Sequence, residues 1–388
     1  MSSVRPFSNH QRLPWIDAAR GFAIFGIFMV NLPAFHGPYF LYGNGQNYWG
    51  TGDAGIWQII IDIFFQASFY SLFSFLFGFG IQIIYENAKN KLAKPRRLLV
   101  RRLLLLLLFG CIHAFLIWYG DILITYSLIG LILLLFIHCE NKTLWTWSLC
   151  LLLIPMSLFT GLMYLARDFI DTTNVELIER AYQHYGGGGW GEILRQNMTD
   201  WLFANNVFAF ILMIANILPI FLIGMLFARN KWLHDIKDHQ NILKRVWLIT
   251  LIGFVLFKVG PYFIGNPLWL TIPQDMIGGT MSAIFYMLTI ALTYSYISVI
   301  FRLFSYVGKM ALTNYILQSI IGVLLFYSVG LGWYGSLTPF ETIAIAFVVF
   351  PLQIIWSYVW LRKWRRGPLE WLWRKGTYGR IGKVYSNK

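Results

Sequence analysis

The sequence predicts an all-α, polytopic membrane protein of about ten transmembrane helices with both termini in the cytoplasm, and three observations lead there. Of 388 residues, 57% are hydrophobic and only 12% are charged, whereas soluble domains carry roughly 25% charged residues. The apolar residues run continuously for bilayer-crossing lengths instead of alternating. Lipid offers a bare backbone no hydrogen-bond partner, so such runs have to be helices. The charges, finally, follow a topology. Spans are read at about 18–35, 66–85, 98–118, 122–138, 143–165, 203–227, 245–264, 277–300, 307–329 and 341–361. With the N-terminus inside, inward segments hold 27 of the 31 lysines and arginines, outward segments hold three, and Lys258 lies in a span. That asymmetry orients the chain and accounts for the net charge of +14 without any nucleic acid. Residues 1–361 are expected to form one transmembrane domain and 362–388 a basic cytoplasmic tail.

The first span carries Asp17 and Arg20 three residues apart, on one helical face at the cytoplasmic entrance. An acid suits the first turn of a helix and an arginine can snorkel to phosphates, so the pair reads equally as local electrostatics or as a shared functional role. Asn31 follows eleven residues later, about 16 Å along the helix, as interhelical glue or a ligand contact. No small-residue cleavage site follows Val30, so this helix is expected to be retained. His36 begins the outer loop. Residues 55–66, with Asp62, make an apolar piece too long to belong to one upright second span, hence an interfacial or re-entrant segment. In the second span, Gly78 and Gly80 permit close helix approach.

Residues 96–138 form a hydrophobic hairpin that turns at Gly120-Asp121. His113 lies in its first arm, twelve residues past Arg101 and roughly 18 Å from the cytoplasmic end. An ionisable group there is costly, which makes His113 a functional candidate. Asp121 reads as its partner or as a plain N-cap, and Tyr119 and Tyr126 are placed to share a hydrogen-bond network with both.

Between Arg167 and Asp200 lies a long outer segment with six acids against three arginines. It reads as a cap over the outer face, with Tyr182, Tyr185 and Trp190 in an interfacial aromatic belt, or as a lid over an acceptor site. Lys258, near the outer end of the seventh span, is expected to snorkel. Asn314 and Gln318, four apart on one face, either clamp a neighbouring helix or line a cavity. The tail motif from Gly367 to Arg374 reads as an interfacial anchoring helix. Cys111, Cys139 and Cys150 have no C-x-x-C spacing, so neither a disulfide framework nor a metal site is expected. No convincing repeat relates the two halves, which disfavours inverted-repeat transporter folds.

Five motifs together resemble the YeiB-like family of bacterial inner-membrane proteins. They are Asp17-x-x-Arg20-Gly21 with Asn31, Phe75-Leu-Phe-Gly-Phe-Gly80, Gly110-x-x-His113 followed by Gly120-Asp121, Gly308-Lys-Met-Ala-Leu-Thr-Asn314-Tyr with Gln318, and Gly367-Pro-Leu-Glu-Trp-Leu-Trp-Arg374. Lys309 stands where relatives often have arginine. The family looks like a distant branch of the transmembrane acyltransferase superfamily that includes heparan-alpha-glucosaminide N-acetyltransferase. The resemblance implies acyl transfer from cytoplasmic acyl-CoA or acetyl-CoA to a lipid, glycan or small-molecule acceptor at the membrane or beyond it. In that enzyme the catalytic histidine follows the first helix, and His36 is the nearest counterpart.

On this reading His113 takes the acceptor proton, Asp121 orients it, and Asn31 or Tyr126 polarises the acyl carbonyl. Arg20, Arg97 and Arg101 receive the CoA phosphates, with Asn314 and Gln318 completing the cofactor-binding set. The expected partners are membrane lipids and acyl-CoA, and a homodimer is left open. The alternative is a proton-coupled transporter or exporter in which His113, Asp121, Asp62 and Lys258 are relay or substrate groups.

Overall fold

The computed structural model describes residues 13–43, 53–89, 92–169 and 173–379, and among these every regular element is a helix. The first arm comprises α1 (Pro14–His36), α2 (Asp53–Phe64), α3 (Ser68–Lys89), α4 (Pro95–Leu116), α5 (Leu123–Leu133) and α6 (Asn141–Ala166). A short α7 (Val175–Ala181) and α8 (Trp190–Ala204) follow, and then α9 (Val207–Arg229) and α10 (Gln240–Phe254). The chain closes with α11 (Gly279–Thr293), α12 (Ser298–Gly308), α13 (Ala311–Phe326), α14 (Pro339–Lys363) and α15 (Pro368–Tyr378).

Among the described residues, seven helical segments are long and apolar enough to cross a membrane, or eight if the bent pair α12 and α13 counts as one span. Length and composition thus single out seven or eight candidate spans among the described residues, and leave the two other expected ones below that threshold. The two other expected spans are shortened for visible reasons. The stretch expected at 122–138 is helical only to Leu133, and the unwound chain beyond it is gathered by Arg229, whose guanidinium donates to the carbonyls of Cys139 at 2.5 Å and Ile137 at 2.8 Å. The stretch expected at 245–264 is α-helical for 15 residues and then passes through a π turn, Val255–Val259, into a 3-10 turn, Gly260–Ile264. As expected, residues 53–64 form a helix of their own, separated from α3 at Ala67, whose φ is 60°.

Backbone contact at glycine organises the bundle. A Cβ on Gly21 would overlap the Phe304 carbonyl, and one on Gly308 would overlap that of Asp17, so α1 and α12 touch main chain to main chain. Gly78 and Gly224 make the same reciprocal contact between α3 and α9. In lipid, where burying apolar surface gives no drive to associate, such close van der Waals packing holds helices together. Gly80 differs: nothing but the Arg20 guanidinium comes near, at 3.7 Å. Pinned at Gly308, the chain turns by 75° from α12 into α13, which lays α13 against α1.

Asn314 and Gln318 are both buried, and they act as a clamp. Asn314 donates to Ser357 Oγ at 3.0 Å, and Gln318 donates to Gln353 Oε1 at 2.9 Å, tying α13 to α14. The tail helix α15 is latched onto the bundle. Glu370 accepts from both the amide and the hydroxyl of Thr313, at 3.0 and 2.6 Å, and Trp373 Nε1 donates to the Arg102 carbonyl at 2.8 Å.

Replacing Gly308 by leucine has no room to succeed, since overpacking typically costs about 1–3 kcal/mol even where side chains can adjust. Thermal unfolding in detergent should show a large fall in Tm for Gly308→Leu and almost none for Gly80→Ala. Equal effects would contradict the packing described.

Candidate functional site

His113, Asp121 and Ser319 form one buried hydrogen-bonded chain. His113 lies in the last turn of α4, where Gly110 one turn earlier leaves space for the start of α5; a Cβ there would meet the Ile124 amide and Asp121 Oδ1. The Gly120-Asp121 turn brings the carboxylate back over the helix it has just left. Asp121 uses both oxygens: Oδ1 accepts the Ile124 N–H at 2.7 Å, and Oδ2 lies 2.7 Å from His113 Nδ1. It is thus helix cap and histidine partner at once. A carboxylate at Nδ1 fixes the proton there and leaves Nε2 with its lone pair. Ser319 Oγ sits 2.8 Å from Nε2, placed to donate its proton. Tyr315, one turn before Ser319, packs on the imidazole at 5.0 Å between ring centres and donates to the Gly120 carbonyl at 3.2 Å.

Hydroxyl, imidazole and carboxylate in this order and at these distances make a proton relay, the arrangement that activates a serine as a nucleophile. Sequence reading paired His113 with Asp121 and left Ser319 without a role. The serine is 206 positions away, and its only sequence signal is its place one turn beyond Tyr315, on the face of α13 next to Gln318.

The other expected site residues are placed elsewhere. Tyr126 donates to the Tyr70 carbonyl at 2.6 Å and bonds Ser74 at 2.8 Å, facing α3. His36 is fully buried, and its Nε2 accepts the Leu337 N–H at 3.0 Å, so it pins the loop before α14 to the end of α1. Asn31 is half-buried and makes no side-chain hydrogen bond among the described residues. Arg20 lies 3.7 Å from Asp17, as the spacing implied. Arg97 is exposed, and Arg101 and Arg102 are half-buried, Arg102 with its guanidinium over the Trp373 ring.

Lys258 does not snorkel. Its π turn faces a second one, Gln274–Gly278, and the fully buried ammonium lies 3.0 Å from Asp275. Alongside, Asp62 accepts from Tyr262 at 2.6 Å and from Gln274 at 3.1 Å. A buried ammonium survives only with such partners, and they hold it in.

The profile of a family described as "Protein of unknown function (DUF418)" matches residues 227–380. Across nearly the whole chain, the sequence is 36% identical over 397 residues to the uncharacterized protein YxaH of Bacillus subtilis (strain 168), covering 97% of each. The chain belongs to the DUF418 family. It is also 29% identical over 394 residues to the uncharacterized protein YeiB of Escherichia coli (strain K12), covering 96% of this chain and 97% of that protein. No solved structure matches it. In this DUF418 protein the profile covers Ser319, whereas His113 and Asp121 lie before it, so the relay joins the two parts of the chain.

Over the relay end of this DUF418 chain sits the cap formed by residues 175–204. It is seated by Asn197, which donates to the Ile117 carbonyl at 3.2 Å, four residues past His113. Tyr185 is buried instead of belonging to an aromatic belt, and it stacks on Tyr327 at 4.3 Å. At the centre is Asp200, which accepts from Tyr42, from Tyr185 at 2.7 Å and from Gln196 at 2.6 Å. Burial raises its carboxyl to about 6, against the lowering effect of those bonds. The folded cap thus holds this proton more tightly than the unfolded chain does. The resulting stability is fully present below the ordinary carboxylate range and is lost as pH rises through about 6. Hydrogen exchange over residues 182–201, corrected for intrinsic rate, should therefore quicken between about pH 5 and about pH 7.5. Asp200→Asn should flatten that trend, and a cap that tightens over the same range would contradict the assignment.

Proposed function

We propose that this protein is an integral membrane acyltransferase of the bacterial cytoplasmic membrane, with Ser319 as its nucleophile. The observation that supports the reading is the continuous Ser319–His113–Asp121 relay. Ser319 Oγ attacks the thioester carbonyl of an acyl-CoA while its proton passes to His113 Nε2. The carbon–sulfur bond then breaks, and the departing thiolate takes that proton, leaving an acyl-serine and free CoA. A hydroxyl or amine of a lipid, glycan or small acceptor attacks the acyl-serine next. Its proton goes to His113 and from there to the departing Ser319 oxygen, which restores the relay. Asp121 stays ionised throughout and stabilises the imidazolium of each half-reaction.

The positive-inside orientation puts the arginine end of α4 in the cytoplasm and the relay near the opposite face. A donor from inside therefore has to reach deep into the bundle, and an acceptor approaches from under the cap. His113 and Ser319 are enclosed in this conformation, so admission of either substrate requires an opening motion.

A second reading, a proton-coupled transporter, draws support from the Lys258, Asp275 and Asp62 cluster at two facing π turns, since buried ionisable groups in a membrane commonly mark conduction paths. One experiment separates the two. Purified protein in nanodiscs, given labelled acetyl-CoA and a lipid or glycan extract, is expected to transfer label. His113→Ala and Ser319→Ala should each lower the rate roughly 10²–10⁴-fold, with Lys258→Met close to wild type. Absence of transfer, together with proton flux in liposomes that Lys258→Met abolishes, would replace the enzyme by the transporter.

A further inference from the structure

Three side chains, each with a buried polar atom left unbonded, gather around one phenylalanine at the end of the bundle that the charge asymmetry places in the cytoplasm. Phe79 of α3 is buried, and two rings from other parts of the chain close on it. Trp15, in the first turn of α1, meets it edge-on at 6.1 Å between ring centres. His234, from the segment 230–239 between α9 and α10, stacks on it at 5.6 Å with the planes 25° apart. Gln82 follows Phe79 by three residues on α3, hence on the same face. Trp15 and Gln82 are only 3% and 4% exposed. Among the described residues, the indole N–H of Trp15, Oε1 of Gln82 and Nδ1 of His234 meet no hydrogen-bond partner.

An unmet buried donor or acceptor is costly, and the surrounding fold holds these in place instead of relieving them. Glu86, one turn further along α3, takes the Gln82 amide nitrogen at 2.8 Å and so fixes the carboxamide with its oxygen left over. The His234 imidazole lays a flat heteroaromatic ring on Phe79 and engages neither the Trp15 donor nor the Gln82 acceptor. That ring is only half-buried, and its segment consists of turns entered through Lys231 at a φ of 55°. The fully buried Leu233 next to it anchors the segment, so the imidazole can swing out while the chain stays seated.

A ligand that replaces the imidazole and satisfies its neighbours needs a flat aromatic face for Phe79, an acceptor for the Trp15 N–H and a donor for Gln82 Oε1. Adenine carries a ring-nitrogen acceptor beside an amino donor, and unpaired bases are bound in this way, stacked on aromatic side chains and hydrogen-bonded along an edge. We propose that Trp15, Phe79 and Gln82 form the base pocket of an adenine-nucleotide site between α1 and α3, and that His234 plugs it in this conformation. The nucleotide is either the adenosine part of a coenzyme A thioester or a free adenine nucleotide. Only the first source rests on the acyltransferase reading.

The full chain in phosphatidylcholine nanodiscs is titrated by calorimetry with ADP, coenzyme A, GDP and inorganic pyrophosphate. None of these is an acyl thioester, so failure here leaves acyl transfer standing, and absence of acyl transfer leaves this site standing. ADP and coenzyme A are expected to bind, and GDP and pyrophosphate to bind far more weakly. Trp15→Phe, which keeps a ring and removes the N–H, should weaken ADP binding roughly tenfold. His234→Ala should tighten it at least roughly threefold, because the pocket no longer has to be vacated first. Loss of a merely structural contact would not strengthen binding. Should Trp15→Phe not fold, His234→Ala still reads the site from a half-buried position. Coenzyme A bound more tightly than ADP identifies the thioester donor, and ADP bound as tightly or more so identifies a free nucleotide. The proposal is overturned if neither wild type nor His234→Ala binds ADP or coenzyme A, if GDP binds as well as ADP, or if either folded variant fails to move in the stated direction.

Discussion

The site depends on one carboxylate. Asp121 is enclosed in an apolar interior, where an unpartnered charge is costly, and it meets that cost by serving two masters: the first turn of α5 through Oδ1 and the His113 imidazole through Oδ2. Removing one partner of a buried charged pair typically costs about 3–5 kcal/mol, a large part of the 5–15 kcal/mol or so that separates a folded domain from its unfolded chain. Fold and chemistry are therefore coupled at this residue. The hairpin turn that positions Asp121 also fixes the histidine tautomer, and that tautomer leaves Nε2 able to receive the Ser319 proton.

The serine arrives by a different route. Gly308 and Gly21 press α12 onto α1, the chain bends by 75°, and the Asn314 and Gln318 clamps hold α13 against α14. These contacts set the position of a hydroxyl 206 residues from its histidine. The two amides, read as either a helix clamp or a cavity lining, thus form the clamp: they fix the helix that carries Ser319. The relay end is closed by the cap centred on Asp200, and the opposite end is crossed by α15, so each face of the bundle carries an element outside the candidate spans.

Much of this was legible in the sequence. Helical class and membrane character follow from unbroken apolar runs, and His113 with Asp121 stands out because ionisable groups are rare in such runs. The close-packing role of Gly78 and the separate helix before α3 were also readable. What escaped has a common cause, namely that local spacing carries no information on distant contacts. Ser319 is an ordinary helical serine until α13 is docked. Arg102 looks interchangeable with Arg97 and Arg101 until Trp373 comes to lie under it. Lys258 reads as a snorkelling residue because nothing in a hydropathy pattern announces a π turn that rotates it toward Asp275. The early end of α5 escaped for the same reason, since the carbonyls beyond it are met by Arg229 from a distant helix.

The central claim is that Ser319 is the group the relay activates. Its most direct measurement is peptide mass spectrometry of the full chain after incubation with acetyl-CoA and no acceptor, followed by rapid acid quench. The account predicts an acetyl group on Ser319, formed by the wild type and absent from His113→Ala. An acetyl group carried stably at another residue in its place, or acyl transfer by Ser319→Ala at the wild-type rate, would contradict it.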